Sequence, residues 1–252
     1  MFHRIDSPAP CEDQSAAVGT ARAQAWRPGI ASDEVPHGEV FASGRDGTGA
    51  GLALALALDR IAASSPDPLA DAPDQRMWLW VQDRDALRRT GRPYRPGLPR
   101  ALRHRLIHVA AASAEDALFA LEEGLRCRDL AFVIGEIAGN PKALSFTAQR
   151  RLSLAAQRHG VPLWLVRLDA ARDLSSARMR WQARPAPSPH PRWNAAAPGV
   201  ARWRAELFRA RRHPPGEWLL HEEEGRLVQQ ALLRAGEATR LSNDARPAAA
   251  AR

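Results

Sequence analysis

The chain has 252 residues, 45% of them apolar and 25% charged, with a formal net charge of +8. This balance fits a folded globular protein long enough to bury a sizeable core, and it argues against a disordered or fibrous chain. Two cysteines, Cys11 and Cys127, without CxxC or Cys/His spacing, argue against a disulfide framework and against a zinc site.

Taken in chain order, residues 1–38 are polar and punctuated by Pro8, Pro10, Pro28 and Pro36. They are expected to form an arm, with a short helix over Ser15 to Trp26. The first 25 residues carry Asp6, Glu12 and Asp13 and no apolar h-region, so no secretory signal is expected there. The longest apolar run, Gly51 to Leu58, is too short to span a bilayer, and a cytoplasmic location with no membrane partner is expected.

Glu39 to Ser43 is predicted as a strand, followed by a glycine-rich turn over Gly44 to Gly51 and a helix over Leu52 to Ala63 that Pro66 and Pro68 stop. Met77 to Gln82 and Arg105 to Val109 are of strand length. Ser113 opens a helix to Cys127, Leu130 to Glu136 is a buried strand, Ser145 caps a helix to His159 with Gly160 as its stop, and Pro162 to Arg167 is the next strand. Apolar strands alternating with helices predict an α/β core with a mainly parallel sheet over about residues 39–168.

The pattern then changes. Ala177 to Arg184 alternates Met179, Trp181 and Ala183 with Arg178, Arg180, Gln182 and Arg184. That period of two predicts a strand with one apolar and one arginine face. Val200 to Arg211 alternates likewise, and Glu217 to His221 offers a third strand. An antiparallel extension of the sheet is expected from about residue 175 to 222, with 223–252 a mostly disordered tail.

Gly44-Arg-Asp-Gly-Thr-Gly49 has the G-x-x-x-x-G spacing of a phosphate loop at a strand–helix junction. The next two positions should be Lys and Ser/Thr, for the terminal phosphates and Mg²⁺, and are Ala50 and Gly51. Backbone amides of Gly44, Gly47, Thr48 and Gly49, with Arg45, could still hold an anion. ATP binding thus stays open while hydrolysis is not expected. The alternative is a tight turn with no ligand. Glu136 is the one candidate for a second Mg²⁺ contact, although a carboxylate at a strand end is more often simply solvated. No catalytic base is assigned to Gln82 or Asp83, and no catalytic residue or metal site is expected.

Residues 172–212 hold ten arginines and two acids, an excess equal to the net charge of the whole chain. The chain has one lysine, Lys142, so the arginine excess reads either as GC-rich coding or as a surface for an anionic partner such as single-stranded DNA. The candidate contacts are Arg178, Arg180, Arg184, Trp193, Arg202 and Arg204. Trp181 and Trp203 fall in the apolar phase and are expected in the core, while Trp193 is expected to be exposed. The opposing reading makes the arginines a solvated face that suppresses edge aggregation.

The ordered segments EVFASGRDGTGAGLALALALDR, WLWVQDR, GRPYRPGL, RLIHV, DALFALEEGLRC, AFVIGE, FTAQRRLSLAAQRHGVPLWLVR and ARMRW, with PRW and RAELFRARRHPPGEW after them, resemble the ImuA family over about residues 35–220. The resemblance implies a RecA-like fold and a role in SOS-induced, error-prone translesion synthesis. It also implies binding to ImuB, a polymerase homologue, and brings RecA and the error-prone polymerase alpha subunit into view as partners. On this reading the protein is a non-catalytic accessory. A DNA-dependent ATPase with an atypical loop is the alternative. Ala50 and Gly51 depart from RecA and put any ATPase carry-over in doubt.

Overall fold

A computed structural model describes residues 25–29, 37–64, 74–194 and 196–230. The helix expected over Ser15 to Trp26 lies outside these residues except at Ala25 and Trp26, which are not helical, and the tail beyond residue 230 and the Pro66–Pro68 stop also lie outside them.

One nine-stranded sheet organises the described chain, in the order β3-β2-β4-β5-β1-β6-β7-β8-β9. The strands are β1 His37–Ala42, β2 Met77–Gln82, β3 Leu106–Ala110, β4 Leu130–Ala138, β5 Leu163–Leu168, β6 Met179–Pro185, β7 Arg202–Ala210, β8 Gly216–Glu223 and β9 Arg226–Gln230. Strands β1 to β5 pair in parallel, as the alternation with helices predicts. The structure is therefore α/β with a mostly parallel sheet that ends in an antiparallel run, flanked by helices.

The two faces of the sheet are covered differently. The helix α1, Thr48–Ser64, packs on one face through Leu52, Ala53, Leu56 and Ala57. Its alanines let the helix axis approach the strands, and each buried leucine contributes roughly 2 kcal/mol. The short helices α2, Arg84–Thr90, and α3, Arg100–Arg103, add Ala86 and Leu102 to the same core. On the opposite face α4, Ala114–Arg126, and α5, Phe146–His159, bury Leu121, Leu125, Leu152 and Ala156 against Val133, Leu163 and Leu165. Their ends match local chemistry. Ser113 and Ser145 accept from the amides of Asp116 and Ala148, and Gly160 adopts φ 76°, which only glycine takes without strain.

Three expectations need correction. β6 pairs in parallel with β1, Gly38 opposite Met179, so the antiparallel run begins only at the β6–β7 pair. Side-chain alternation fixes which face a residue takes but says nothing of strand direction. The segment 223–252 is not all tail, because Glu224 and Gly225, at φ 50° and 79°, turn β8 back into β9. Within the arm, Trp26 is buried edge-on against Trp181 and Trp218. Finally, α1 begins at Thr48, four residues earlier than predicted, so the glycine-rich turn is shorter than its sequence suggests.

Candidate functional site

The glycine loop leaves the carboxyl end of β1 and enters α1 directly, the setting a phosphate loop requires. Three of its amides are already engaged. Asp169, at φ 50° just beyond β5, accepts from the Gly44 amide at 3.1 Å, and Asp46 accepts from the Thr48 amide at 2.9 Å. Ser43 Oγ accepts from the Arg45 amide at 3.1 Å. Asp169 is held from the other side by Arg89 at the end of α2, 2.6 Å away. Two carboxylates of the chain itself thus lie where an incoming phosphate would bring more negative charge. Arg45 and Gly47 are exposed, while Thr48 is buried.

Packing explains the glycines. A Cβ on Gly49 would lie 2.7 Å from Ala42 Cβ and 2.8 Å from Val166 Cγ1, so close seating of α1 on β1 and β5 demands a glycine there whether or not phosphate binds. A Cβ on Gly51 would come within 3.2–3.3 Å of the Trp203 indole. The position of the usual Mg²⁺-binding hydroxyl therefore abuts a tryptophan of β7, a reason for its loss that the sequence did not show.

Glu136 does not end its strand and is not solvated. β4 continues to Ala138, and Glu136 is 1% exposed, accepting from Gln82 Nε2 at 2.8 Å and Thr90 Oγ1 at 3.0 Å. Burial pushes its carboxyl above the usual range, partly offset by these hydrogen bonds. Gln82 Oε1 also accepts from His108 Nε2 at 2.9 Å, and Gln82 Nε2 donates to Gly91 O. Asp83 has a structural task as the N-cap of α2, accepting from Ala86 N–H at 2.7 Å. Among the described residues no group of three or more His, Cys, Asp or Glu is placed to hold a metal ion.

The arginine face expected across β6 and β7 divides into three parts. Arg180 must be withdrawn from the surface set. It is buried, donates to Glu39 Oε2 at 2.6 Å, and lies 5.1 Å from the centre of the Phe41 ring. Arg167 of β5 reaches the other oxygen of Glu39 at 3.4 Å. One buried carboxylate therefore serves two buried guanidiniums, and burial pulls the Arg167 pKa down. Solvent exposure was assumed for every arginine of the polar phase, but this face of β6 is covered next to β1.

Arg184 and Arg204 do come together. They are directly opposed across the β6–β7 pair, and both are exposed. Arg202 lies two residues along on the same face, half-buried opposite His221. Like charges facing one another across antiparallel strands destabilise the pair, a cost that a bound anion would relieve. Glu217, 3.7 Å from Arg204, offsets part of it. Trp193 stands 80% exposed in the connector between β6 and β7, whereas Trp181 and Trp203 are core residues, all as expected. Arg178 sits apart, at the opposite end of β6, with its amide bonded to His37 O.

Together the loop, the sheet and the arginine-bearing strands define an α/β protein with a phosphate-loop-like turn closed by its own carboxylates. No family model matches the chain. Over 138 residues it is 35% identical to Protein ImuA of Caulobacter vibrioides, in strains NA1000/CB15N and ATCC 19089/CIP 103742/CB 15, covering 51% of this chain and 53% of each relative. The chain thus matches about half the length of these curated relatives. The similarity supports membership of the ImuA family, the family that the ordered segments resemble. No described helix is long and apolar enough to cross a membrane.

Proposed function

We propose that the protein is a non-catalytic, RecA-like accessory factor of the ImuA/ImuB mutagenesis cassette, acting in SOS-induced, error-prone translesion synthesis in the cytoplasm. Its partners are an ImuB-like polymerase homologue and the error-prone polymerase alpha subunit, with RecA and single-stranded DNA as further contacts. The similarity to Protein ImuA supports the cassette. The observation that carries the non-catalytic part is the engagement of the Gly44 and Thr48 amides by Asp169 and Asp46. Those amides and the missing lysine are the groups that would otherwise cradle and neutralise phosphate.

The exposed, opposed Arg184 and Arg204, with Trp193 in the adjoining connector, supply cations and a stacking ring for a single strand. Calorimetry with ATP and Mg²⁺, with and without oligo-dT, tests the reading, alongside a pull-down with the ImuB-like partner. The expected result is no ATP heat and a captured partner. DNA-stimulated phosphate release would overturn it in favour of the ATPase reading.

A further inference from the structure

A second surface lies away from both the loop and the Arg184–Arg204 pair. A cleft of about 540 Å³ opens between α5, the segment 175–178 and the end of β7. Among the described residues, its lining includes Arg150, Arg178, Arg209 and Arg211 and no carboxylate. Arg209 stands opposite Arg180 across the β6–β7 pair, beside a register shift, and Arg180 itself is buried and paired with Glu39. The positive field also reaches the interior. Buried His37, behind the cleft, has its pKa lowered to about 4, first by burial and then by Arg178.

The cleft is not only basic. Phe146 and Leu154 stand 49% and 53% exposed on α5, one turn to either side of Arg150. Residues spaced by four share one helix face, so these three form a stripe of apolar, cationic and apolar groups along one wall. The floor is fixed in advance. Ser153 Oγ meets His37 Nδ1 at 2.5 Å and Ser176 Oγ at 2.7 Å, tying α5 to the 175–178 segment. The Arg211 amide donates to Arg178 O at 3.0 Å, tying β7 to the same segment. A site already ordered loses less entropy when it is filled.

We infer that this cleft docks an acidic peptide segment of a protein partner, one that alternates Asp or Glu with Leu or Phe side chains. Charge complementarity selects the acids, and the Phe146–Arg150–Leu154 wall selects apolar anchors between them. Nucleic acid fits less well, because bases stack on rings and, among the described lining residues, Phe146 is the one aromatic side chain. The inference goes beyond the accessory role and uses none of the residues on which that role's DNA contact rests.

The test is fluorescence anisotropy of the full chain with a fluorescein-labelled acidic peptide of about a dozen residues carrying Leu and Phe. Companion probes are the same peptide with its acids amidated, the same with Leu and Phe replaced by Ser, and labelled oligo-dT. The acidic apolar peptide is expected to bind, and Arg150→Glu with Arg211→Glu to weaken it more than about tenfold, a change of about 1.4 kcal/mol or more. Leu154→Ser should weaken it several-fold, while Arg184→Glu leaves it unchanged. Circular dichroism of each variant guards against unfolding. Equal binding by the Ser-substituted peptide would reduce the cleft to a charge patch and overturn the inference. So would binding of oligo-dT alone with the same Arg150 and Arg211 dependence, or no peptide binding at all. None of these readouts involves ATP or ImuB, so their failure is separate from failure of the accessory reading.

Discussion

Replacing Glu39 with glutamine is expected to cause a large loss of stability from a change of a few atoms. Glu39 is fully buried, and its two oxygens meet Arg180 at 2.6 Å and Arg167 at 3.4 Å. At an effective dielectric near 20, a charge pair about 4 Å apart is worth about 4 kcal/mol. Glu39→Gln removes two such attractions and leaves two buried guanidiniums on neighbouring sides of β1 with their repulsion uncompensated. Relaxation and water entry recover part of this, and breaking a buried pair typically costs about 3–5 kcal/mol. For a chain of this size that corresponds to a fall in Tm of roughly 10 °C. Urea denaturation followed by tryptophan fluorescence measures it directly, since Trp78 and Trp181 are fully buried reporters. Adding Arg180→Met to Glu39→Gln should recover part of the loss by removing one orphaned charge. A loss below about 1 kcal/mol in the single variant, the range of a surface ion pair, would refute the buried-cluster argument.

Three further outcomes follow from the structure. His37 has a folded pKa of about 4 against 6.5 in the open chain, so the unfolded state binds more protons between those values. Stability present above pH 6.5 should therefore fall by up to roughly 3 kcal/mol as pH drops toward 4, and His37→Gln should flatten that slope in denaturation series from pH 7 to 4. Restoring the motif with Ala50→Lys and Gly51→Thr should yield no ATP binding by calorimetry, because Asp169 and Asp46 keep their amides, and should lower the Tm, because the threonine meets Trp203. Asp83→Ala removes the cap of α2 together with the 3.3 Å contact to the Ala138 amide, and should cost about 1–2 kcal/mol in urea melts.

What the sequence made legible was local. Ser113, Ser145 and Gly160 act within one helical turn of their own positions, so their roles can be read without knowing the tertiary structure. The core phase of Trp181 and Trp203 follows from alternation alone. What stayed hidden depends on residues far apart in the chain. Arg180 looks like a solvated arginine until Glu39, 141 positions away, is placed against it. Asp169 lies 125 positions from the Gly44 amide it occupies, and no feature of the glycine spacing points to it. Gln82 and Asp83 read as a strand end because the next segment, rich in arginine, lacks the apolar stripe that would announce a helix. α2 forms there through its cap instead.

Asp59 on α1 gives the molecule a single fastening point with a practical consequence. Its Oδ2 accepts from the Gly29 amide at 2.9 Å and its Oδ1 from the Leu227 amide at 3.0 Å. One carboxylate near the middle of the first helix thus latches the earliest and the latest described stretches of backbone onto the same spot. Shortening the chain at residue 222, where the polar composition invites it, would cut away half of a hairpin. It would bare the hydrogen-bonding edge of β8 and leave a buried carboxylate short of a donor. Such a truncation would be prone to pair edge to edge with its own copies, and a loss of activity in it would report aggregation before it reported function.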